Sequence, residues 1–393
     1  MLSSVKKAEI RVPSLPQLTP AIPEPIPGLI GLAAEVGLVL RATLPTEPLD
    51  PDVQGRHRSW LAAGRAGEME YLAEADAVAY SLRDWKAWAR GALLFGLPYH
   101  RAGGGFRNGG RVARYALGKD YHHVLGRRIE KLGRRLQRAG LTKRFRRAVD
   151  AAPVLEREWA IRGQVGFRGK NTLLLHPEHG PWILLGELLI EAELPAWAPP
   201  PARQASCGSC TRCLDACPTS AFDGPYLLDP RRCLSYLTIE SKGWIPKDLR
   251  ALVGDWVYGC DVCLEVCPFG AKDVDHAEAW GLHPSLQALS LEDLLTLDAQ
   301  VFDRLFTGSP LRRAGWEGLL RNACVVLGNL GRGGSVLEWT AQGHPSALVR
   351  GHAIWALGRL EAGRPIRERA ALADPDPGVR IAAQESLAQS AIS

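Results

Sequence analysis

Eight of the nine cysteines in this 393-residue chain fall between positions 207 and 267, and their spacing constrains the middle of the chain more than any other feature. The run CGSCTRCLDACP places Cys207, Cys210, Cys213 and Cys217 at the spacing C-x2-C-x2-C-x3-C, ahead of Pro218. The run YGCDVCLEVCP holds Cys260, Cys263 and Cys267 ahead of Pro268, with Val257 where a complete run would begin on cysteine. Cys233 lies between the two runs. A cubane [4Fe–4S] cluster takes four thiolates, and in two-cluster ferredoxins the fourth cysteine of each run ligates the other run's cluster. That logic predicts one cluster on Cys207, Cys210, Cys213 and Cys267 and a second on Cys217, Cys233, Cys260 and Cys263, with Cys233 replacing the missing first ligand. Paired C-x2-C units also suit a zinc site of four cysteines, but zinc gives no reason for the x3 spacing followed by proline in both runs. A disulfide scaffold would be a shorter, secreted chain. Cys324, within NACVVLGNLG, reads as core packing.

Two clusters conduct electrons and perform no reaction alone, so the remaining chain has to supply a second centre. A hydrophobic content of 46% and a charged content of 23% predict a soluble globular protein of two or three domains. No window reaches the length of uncharged apolar sequence that a membrane helix needs, and the N-terminal stretch lacks an apolar signal core, so a cytoplasmic protein with no membrane partner is expected. Four segments are predicted: a loose proline-rich tail over 1–27, an α/β domain over 28–200, a ferredoxin-like two-cluster module over 201–285, and an all-α domain over 286–393. Within the second segment, 28–50 reads as a helix then a strand, 58–75 as helical and 92–98 as a buried strand. A glycine-rich loop, GGGFRNGG, leads toward a further helix; no Walker or dinucleotide fingerprint accompanies it. AELPAWAPPPARQ, 192–204, reads as a linker into the cluster module.

The last segment carries an internal repeat of thirty residues. Pro345, Val349, Arg350, Ala353 and Leu357 recur as Pro375, Val379, Arg380, Ala383 and Leu387, and Ala323, Leu327 and Gly328 begin a degenerate earlier copy. Stacked helix pairs of the HEAT kind are therefore expected. Eleven arginines and no lysine in this part, Arg312, Arg313 and Arg321 among them, favour a binding surface over a purely structural cap. Charge is concentrated elsewhere too: residues 101–170 hold 19 basic against 5 acidic side chains, densest over 126–147. Such a stretch is either a solvated helix face or a surface for a polyanion.

Several stretches together resemble the epoxyqueuosine reductase family: GEMEYL (67–72), RYALGKDYHHVL (114–125), the segment 149–189 from VDAAPVLE to LLGELL, CLSYLTIESKGWIP (233–246), and both cysteine runs. The resemblance covers nearly all of the chain from about residue 28, with 1–27 as an unmatched extension. It implies reduction of epoxyqueuosine to queuosine at the wobble position of tRNA, a two-electron, two-proton deoxygenation. Cobalamin would be bound between the α/β domain and the cluster module, fed by the two [4Fe–4S] clusters. By position in VDAAPVLE, Asp150 corresponds to the family's proton donor; its apolar neighbours Val149, Ala151, Ala152 and Pro153 predict a neutral, donating carboxyl. Local sequence alone would make Asp150 a helix N-cap.

Asp150, Lys170, Asn171, Gly186, Glu187, Thr238, Asp261 and Val262 are expected near the corrin, and Arg157 and Lys242 at tRNA. An unidentified low-potential electron donor is implied, and a monomer is expected. Reductive dehalogenases share the cofactors but usually carry an export signal and no helical-repeat tail. An electron-transfer adaptor would bind no cobalamin, and a tRNA-binding protein with structural clusters would, on cluster removal, lose RNA binding without losing redox activity.

Overall fold

The structure is a computed structural model that describes Glu24 and residues 26–199, 205–271 and 274–389. Nearly all of the expected tail over 1–27, and the end of the expected linker, lie outside the described residues.

The N-terminal domain is built on a four-stranded sheet of β1 (Leu40–Pro45), β2 (Gly91–Pro98), β3 (Phe145–Ala148) and β4 (Ile183–Ile190), in the order β1-β2-β4-β3. Every pairing is antiparallel, so the domain is α+β in character, not the α/β layer expected. The expectation came from short apolar runs alternating with turn residues over 149–190, beside the buried run ALLFGLP. That pattern fits a parallel sheet, but equally an antiparallel one covered by helices on both sides. Helix α1 (Tyr121–Arg138) covers one face, packing Leu125, Ile129 and Leu132 against Leu93, Phe95 and Leu188. On the other face, Trp159 of α2 (Glu156–Arg162) packs with Ala92, Leu94 and Leu189.

Helix α1 contains two glycines, which weaken a helix, yet both are required here. A Cβ on Gly126 would strike the Arg147 guanidinium, and one on Gly133 would strike the Phe145 ring, so α1 approaches β3 only because they are glycine. The opposite outcome appears at 58–75, expected as one helical stretch. The first helix ends at Ala62 and a second begins at Glu70, because Gly64 and Gly67 adopt φ of 64° and 57°. The Tyr236 hydroxyl occupies the space a Gly67 side chain would need and accepts a hydrogen bond from the Glu68 amide at 2.8 Å.

GGGFRNGG is a hairpin. Gly104–Gly105 pairs with Arg111–Val112, which pairs in turn with Trp256–Tyr258 of the cluster module, so the second strand of the hairpin stitches two parts of the chain together. The C-terminal part is a stack of helices, α4 (Gly315–Leu330), α5 (Gly334–Gly343), α6 (Ala347–Arg359), α7 (Arg364–Ala373) and α8 (Pro377–Gln389). The thirty-residue repeat is visible in its hydrogen bonds. Arg350 Nη1 donates to the carbonyls of His344 and Pro345 at 2.9 and 3.1 Å, and Arg380 Nη1 to those of Asp374 and Pro375 at 2.7 and 3.1 Å.

One core joins the helical stack to the cluster module, with Leu234, Leu237, Val257 and Tyr258 packed among Leu319, Leu320, Val326 and Leu357. At its centre Arg321 is fully buried, which removes it from the binding surface expected of this tail. Its Nη1 donates to the carbonyls of Ser241 and Gly243 at 2.9 and 2.6 Å, and its Nη2 to that of Leu237 at 2.6 Å. The Leu237 carbonyl in the last turn of a short helix, α3 (Leu234–Ile239), and two carbonyls just beyond it are thereby satisfied from the helical stack. Arg321→Ala should lower unfolding free energy by about 3 kcal/mol or more, since each buried carbonyl left without a donor costs about 1–3 kcal/mol. A thermal melt of the cluster-loaded protein checks this.

Candidate active site

The cysteines are brought together as two adjacent groups. One cavity is lined by Cys207, Cys210, Cys213 and Cys267, with Lys170, Asn171, Leu175, Arg212, Pro268 and Phe269 around them. Burial, then the charge of Cys207, raises the Cys213 thiol; burial also raises that of Cys267, beside Cys207 and Cys210. In the second group burial raises the thiols of Cys233, Cys260 and Cys263, the last well above its usual value. Cys217 is the nearby thiol felt by Cys233, and Cys233 is the first one felt by both Cys260 and Cys263.

Thiols so desolvated resist ionising alone, and iron within the cage would take over that charge. The donor set therefore fits an iron–sulfur core in each group. Backbone amides already point at sulfur: Lys170 N–H to Cys207 Sγ at 3.4 Å and Ala221 N–H to Cys217 Sγ at 3.3 Å, contacts of the kind that tune cluster potential. Cys324 is fully buried among core aliphatics, in the same core that Cys233 and Cys260 pack against from its edge.

Asp150 follows β3 in a tight loop and adopts φ 52°, in the left-handed region that aspartate tolerates better than most residues. It is not an N-cap: α2 begins at Glu156 with Leu155 as its cap. Instead the Asp150 amide donates to Glu156 Oε1. The Asp150 side chain is 62% exposed and is met from the first turn of α1, where the Tyr121 hydroxyl donates to Oδ2 at 2.8 Å and His122 Nε2 lies 3.2 Å from the same oxygen. His122 Nδ1 in turn contacts Oδ1 of Asp120, the helix N-cap, at 2.8 Å.

These contacts overturn the expected neutral carboxyl. Partial desolvation would raise the Asp150 pKa, but hydrogen bonds from His122 and Tyr121 and the charges of His122 and Arg157 outweigh it and hold the group below its usual value. The groups that set its charge come from α1 and α2. His122 shows the complement: desolvation lowers it, yet Asp120 and Asp150 together push it up to about 9. Behind the loop, Glu187 pairs in register with Ala148 and is buried facing Glu156; burial, then mutual repulsion with Glu156, raises it well above the carboxylate range. Burial and then the charge of Asp150 raise Glu156 as well.

Asp120, Tyr121, His122 and Glu156 were absent from the expected site residues. The signal for the first three is Asp-x-His in GKDYHHVL, a cap carboxylate two residues before a histidine at a helix start. Tyr121 leads back into the molecule. Its ring meets Tyr115 edge-on at 5.8 Å, and Tyr115 meets Tyr258 of the cluster module at 6.4 Å.

The remaining expected contacts divide by what their polar atoms already do. Thr238 is fully buried, donating to the Leu234 carbonyl at 2.7 Å and accepting from the Gly259 amide at 2.9 Å. Asp261 is buried and accepts from the Arg114 amide at 2.7 Å. Asn171 is buried against the cage, with Nδ2 on the Cys263 carbonyl at 3.4 Å. Lys170 Nζ donates to the Gly208 carbonyl at 2.8 Å. Gly186 faces Leu125 and Ile129 of α1, within the N-terminal core. Val262, between two cysteines, is half-buried.

Lys242 Nζ is committed to the carbonyls of Ile239, Arg313 and Ala314 at 2.9, 2.7 and 3.4 Å, which leaves it a joint between elements. Arg157 is exposed, donates to the Thr172 carbonyl at 2.9 Å and feels the charge of Asp150. Buried polar atoms lacking a partner among the described residues include Nε and Nη1 of Arg114, wedged between Trp182 and the second cysteine run, and Oε2 of Glu187. Such donors and acceptors fit a corrin, whose rim carries amides.

Comparisons with known proteins agree with this arrangement. The family model described as 4Fe-4S double cluster binding domain matches residues 206–270, and that described as Epoxyqueuosine reductase QueG, DUF1730 matches residues 81–151. An epoxyqueuosine reductase of Pseudomonas aeruginosa is 42% identical over 319 residues, covering 76% of this chain and 85% of its own. That of Xanthomonas campestris is 39% identical over 311 residues, covering 76% and 86%. A crystal structure of epoxyqueuosine reductase with an epoxyqueuosine-modified tRNA-Tyr stem loop superposes with a TM-score of 0.80 at 26% identity, covering 92% of this chain and 97% of that one.

Proposed function

This chain belongs to the epoxyqueuosine reductase family, and from that premise we propose that it finishes queuosine at the tRNA wobble position using cobalamin, two clusters and Asp150. The overall reaction is the reduction of epoxyqueuosine to queuosine in tRNA by an iron–sulfur oxidoreductase. When bound, cobalamin would supply a redox-active cobalt centre for the organic step. The chain's own residues hold and feed that chemistry. Cys207, Cys210, Cys213 and Cys267 hold one [4Fe–4S] cluster, and Cys217, Cys233, Cys260 and Cys263 the other. Lys170, Asn171, Asp261 and Val262 would line the side of a bound corrin that meets the cluster cage, and Arg114 and Glu187 would offer it polar atoms. Gly186 and Thr238 act from behind, through packing.

Asp150 delivers the proton that the opening epoxide oxygen requires. The observation that carries this reading is its exposed carboxylate at the start of α1, joined through Tyr121, Tyr115 and Tyr258 to the cluster module. tRNA is held by the exposed basic side chains of α1, by Arg157, and by the HEAT-like helical stack. A monomer acting in the cytoplasm, where tRNA is used, and reduced by a low-potential donor completes the picture.

The deciding experiment is an anaerobic single-turnover assay of cluster-loaded protein with cobalamin, a chemical reductant and tRNA carrying epoxyqueuosine. Nucleosides are read by mass spectrometry. Loss of one oxygen mass is expected; no conversion with full clusters and bound cobalamin would overturn the reading. Arg157→Ala should weaken stem-loop binding and reduce the slope of log affinity against log salt by about 0.7, the share of one phosphate on a single strand. A salt titration of binding checks it.

A further inference from the structure

Deoxygenation of an epoxide consumes two electrons and two protons. Both carbon–oxygen bonds break, a carbon–carbon double bond forms, and both protons leave on the same oxygen as water. The reductase's clusters account for the electrons. One carboxyl group carries only one proton, so a single aspartate has to be loaded twice, or loaded once and joined by a second acid.

The groups around Asp150 narrow the choice. Its carboxylate is met by Tyr121 and His122 on α1, interacts with Arg157 and Glu156 on α2, and its charge also reaches Tyr71, Tyr115 and Arg313. Tyr121 donates its hydroxyl hydrogen to Asp150, and burial, then the Asp150 charge, raises its pKa far beyond neutrality, so it orients the carboxylate without giving up the proton. Arg157 and Arg313 keep theirs at any working pH. Tyr71 is also raised, by burial first, and contacts Arg313 at 5.5 Å through its ring. Glu156 is turned the other way: its Oε1 receives the Asp150 amide, so it holds the loop, with Glu187 behind it. His122 alone has a titratable nitrogen on the Asp150 carboxylate and an outlet to water. Nε2 is 3.2 Å from Oδ2, Nδ1 is fixed on Asp120 at 2.8 Å, and the side chain is 35% exposed.

We propose that His122 is the proton carrier of the reaction: its Nε2 proton passes to Asp150 Oδ2, Asp150 hands it to the oxygen, and His122 is recharged from solvent for the second transfer. The inference rests on the reading of Asp150 as donor. Asp120 keeps the imidazole in place and stabilises its cationic form, the part a carboxylate plays in any carboxylate–histidine pair. His122 thus acts through Asp150, without itself meeting the substrate. The pair explains how an aspartate that rests ionised can serve as an acid.

The test compares wild type with His122→Gln and His122→Ala in the single-turnover assay across pH 6 to 10, each variant first checked for iron content, cobalamin binding and stem-loop affinity. Wild type should lose rate as pH rises through the titration of His122, near about 9. His122→Gln keeps a hydrogen-bond donor near Asp150 but carries no mobile proton. It should be slower by about 10²-fold at neutral pH, the low end of proton-transfer catalysis, with its loss of rate moved to lower pH. Added imidazole should restore part of the rate of His122→Ala and none of that of Asp150→Ala.

Equal rates and an unchanged pH profile in a loaded, tRNA-binding His122→Gln protein would overturn the proposal while leaving the function standing. Rescue of His122→Ala by imidazole would not arise from a merely structural role, and its absence together with an unmoved pH limb counts against the relay. Failure of wild type to convert substrate would instead sink the functional reading itself.

Discussion

Asp150→Asn should reduce single-turnover conversion by about 10²–10⁴-fold, the usual contribution of a positioned proton donor, while iron content and stem-loop binding stay at wild-type levels. Asparagine is the informative substitution because it preserves size and the acceptor for Tyr121, whose hydroxyl lies 2.8 Å from the carboxylate. It removes the proton and little else. Asp150→Ala would also release Tyr121 and His122 from their contacts and so mix loss of chemistry with loss of order.

The pH dependence has a definite sign. A raised histidine holds its proton below its folded value, so wild-type conversion should be full at pH 7 and fall above about 9. A free aspartate acting alone would already be ionised and slow at pH 7. Comparable turnover by Asp150→Asn would remove Asp150 from the reaction.

The second large effect concerns the cysteines. Cys267→Ala should halve the iron content and bring turnover to background, as should Cys233→Ala, because each takes one ligand from a different cage. The pairing is what the experiment decides. If the runs exchange ligands, the electron paramagnetic resonance spectrum of reduced Cys267→Ala protein should match that of Cys207→Ala and differ from that of Cys263→Ala. If each run holds its own cluster, Cys267→Ala and Cys263→Ala should match. The structure favours the first outcome, since Cys267 lines one cavity with Cys207, Cys210 and Cys213, whereas Cys263 lies with Cys233 and Cys260. Alanine is preferred to serine, whose oxygen can replace a thiolate as ligand.

Some of this was legible in the chain and some was not, for reasons that differ residue by residue. The thirty-residue repeat was readable because stacked helices repeat one packing unit, and Arg350 and Arg380 make the same two carbonyl bonds in successive copies. Within the arginine-rich tail Arg321 misled, because composition does not distinguish a surface arginine from one buried to satisfy carbonyls of a neighbouring segment. Lys242, by contrast, stays exposed, and its ammonium is held by three carbonyls, which the sequence does not display. The strands of the N-terminal sheet were legible as buried segments, but their direction was not: burial on both faces records the presence of covering helices and says nothing of strand polarity.

By itself the sequence determined the two thiol sets, because cluster ligation is set by ligand count and short-range spacing, which a linear chain displays directly. It also determined the period of the helical stack, which is a property of order along the chain. Only the tertiary structure decided the state of Asp150. Its neighbours in sequence are apolar, but its neighbours in space are Tyr121, His122 and Arg157, and electrostatic energy depends on distance through space. A carboxyl whose apolar sequence neighbours favour the neutral form is therefore held below its usual pKa, by groups that include a histidine 28 residues earlier in the chain.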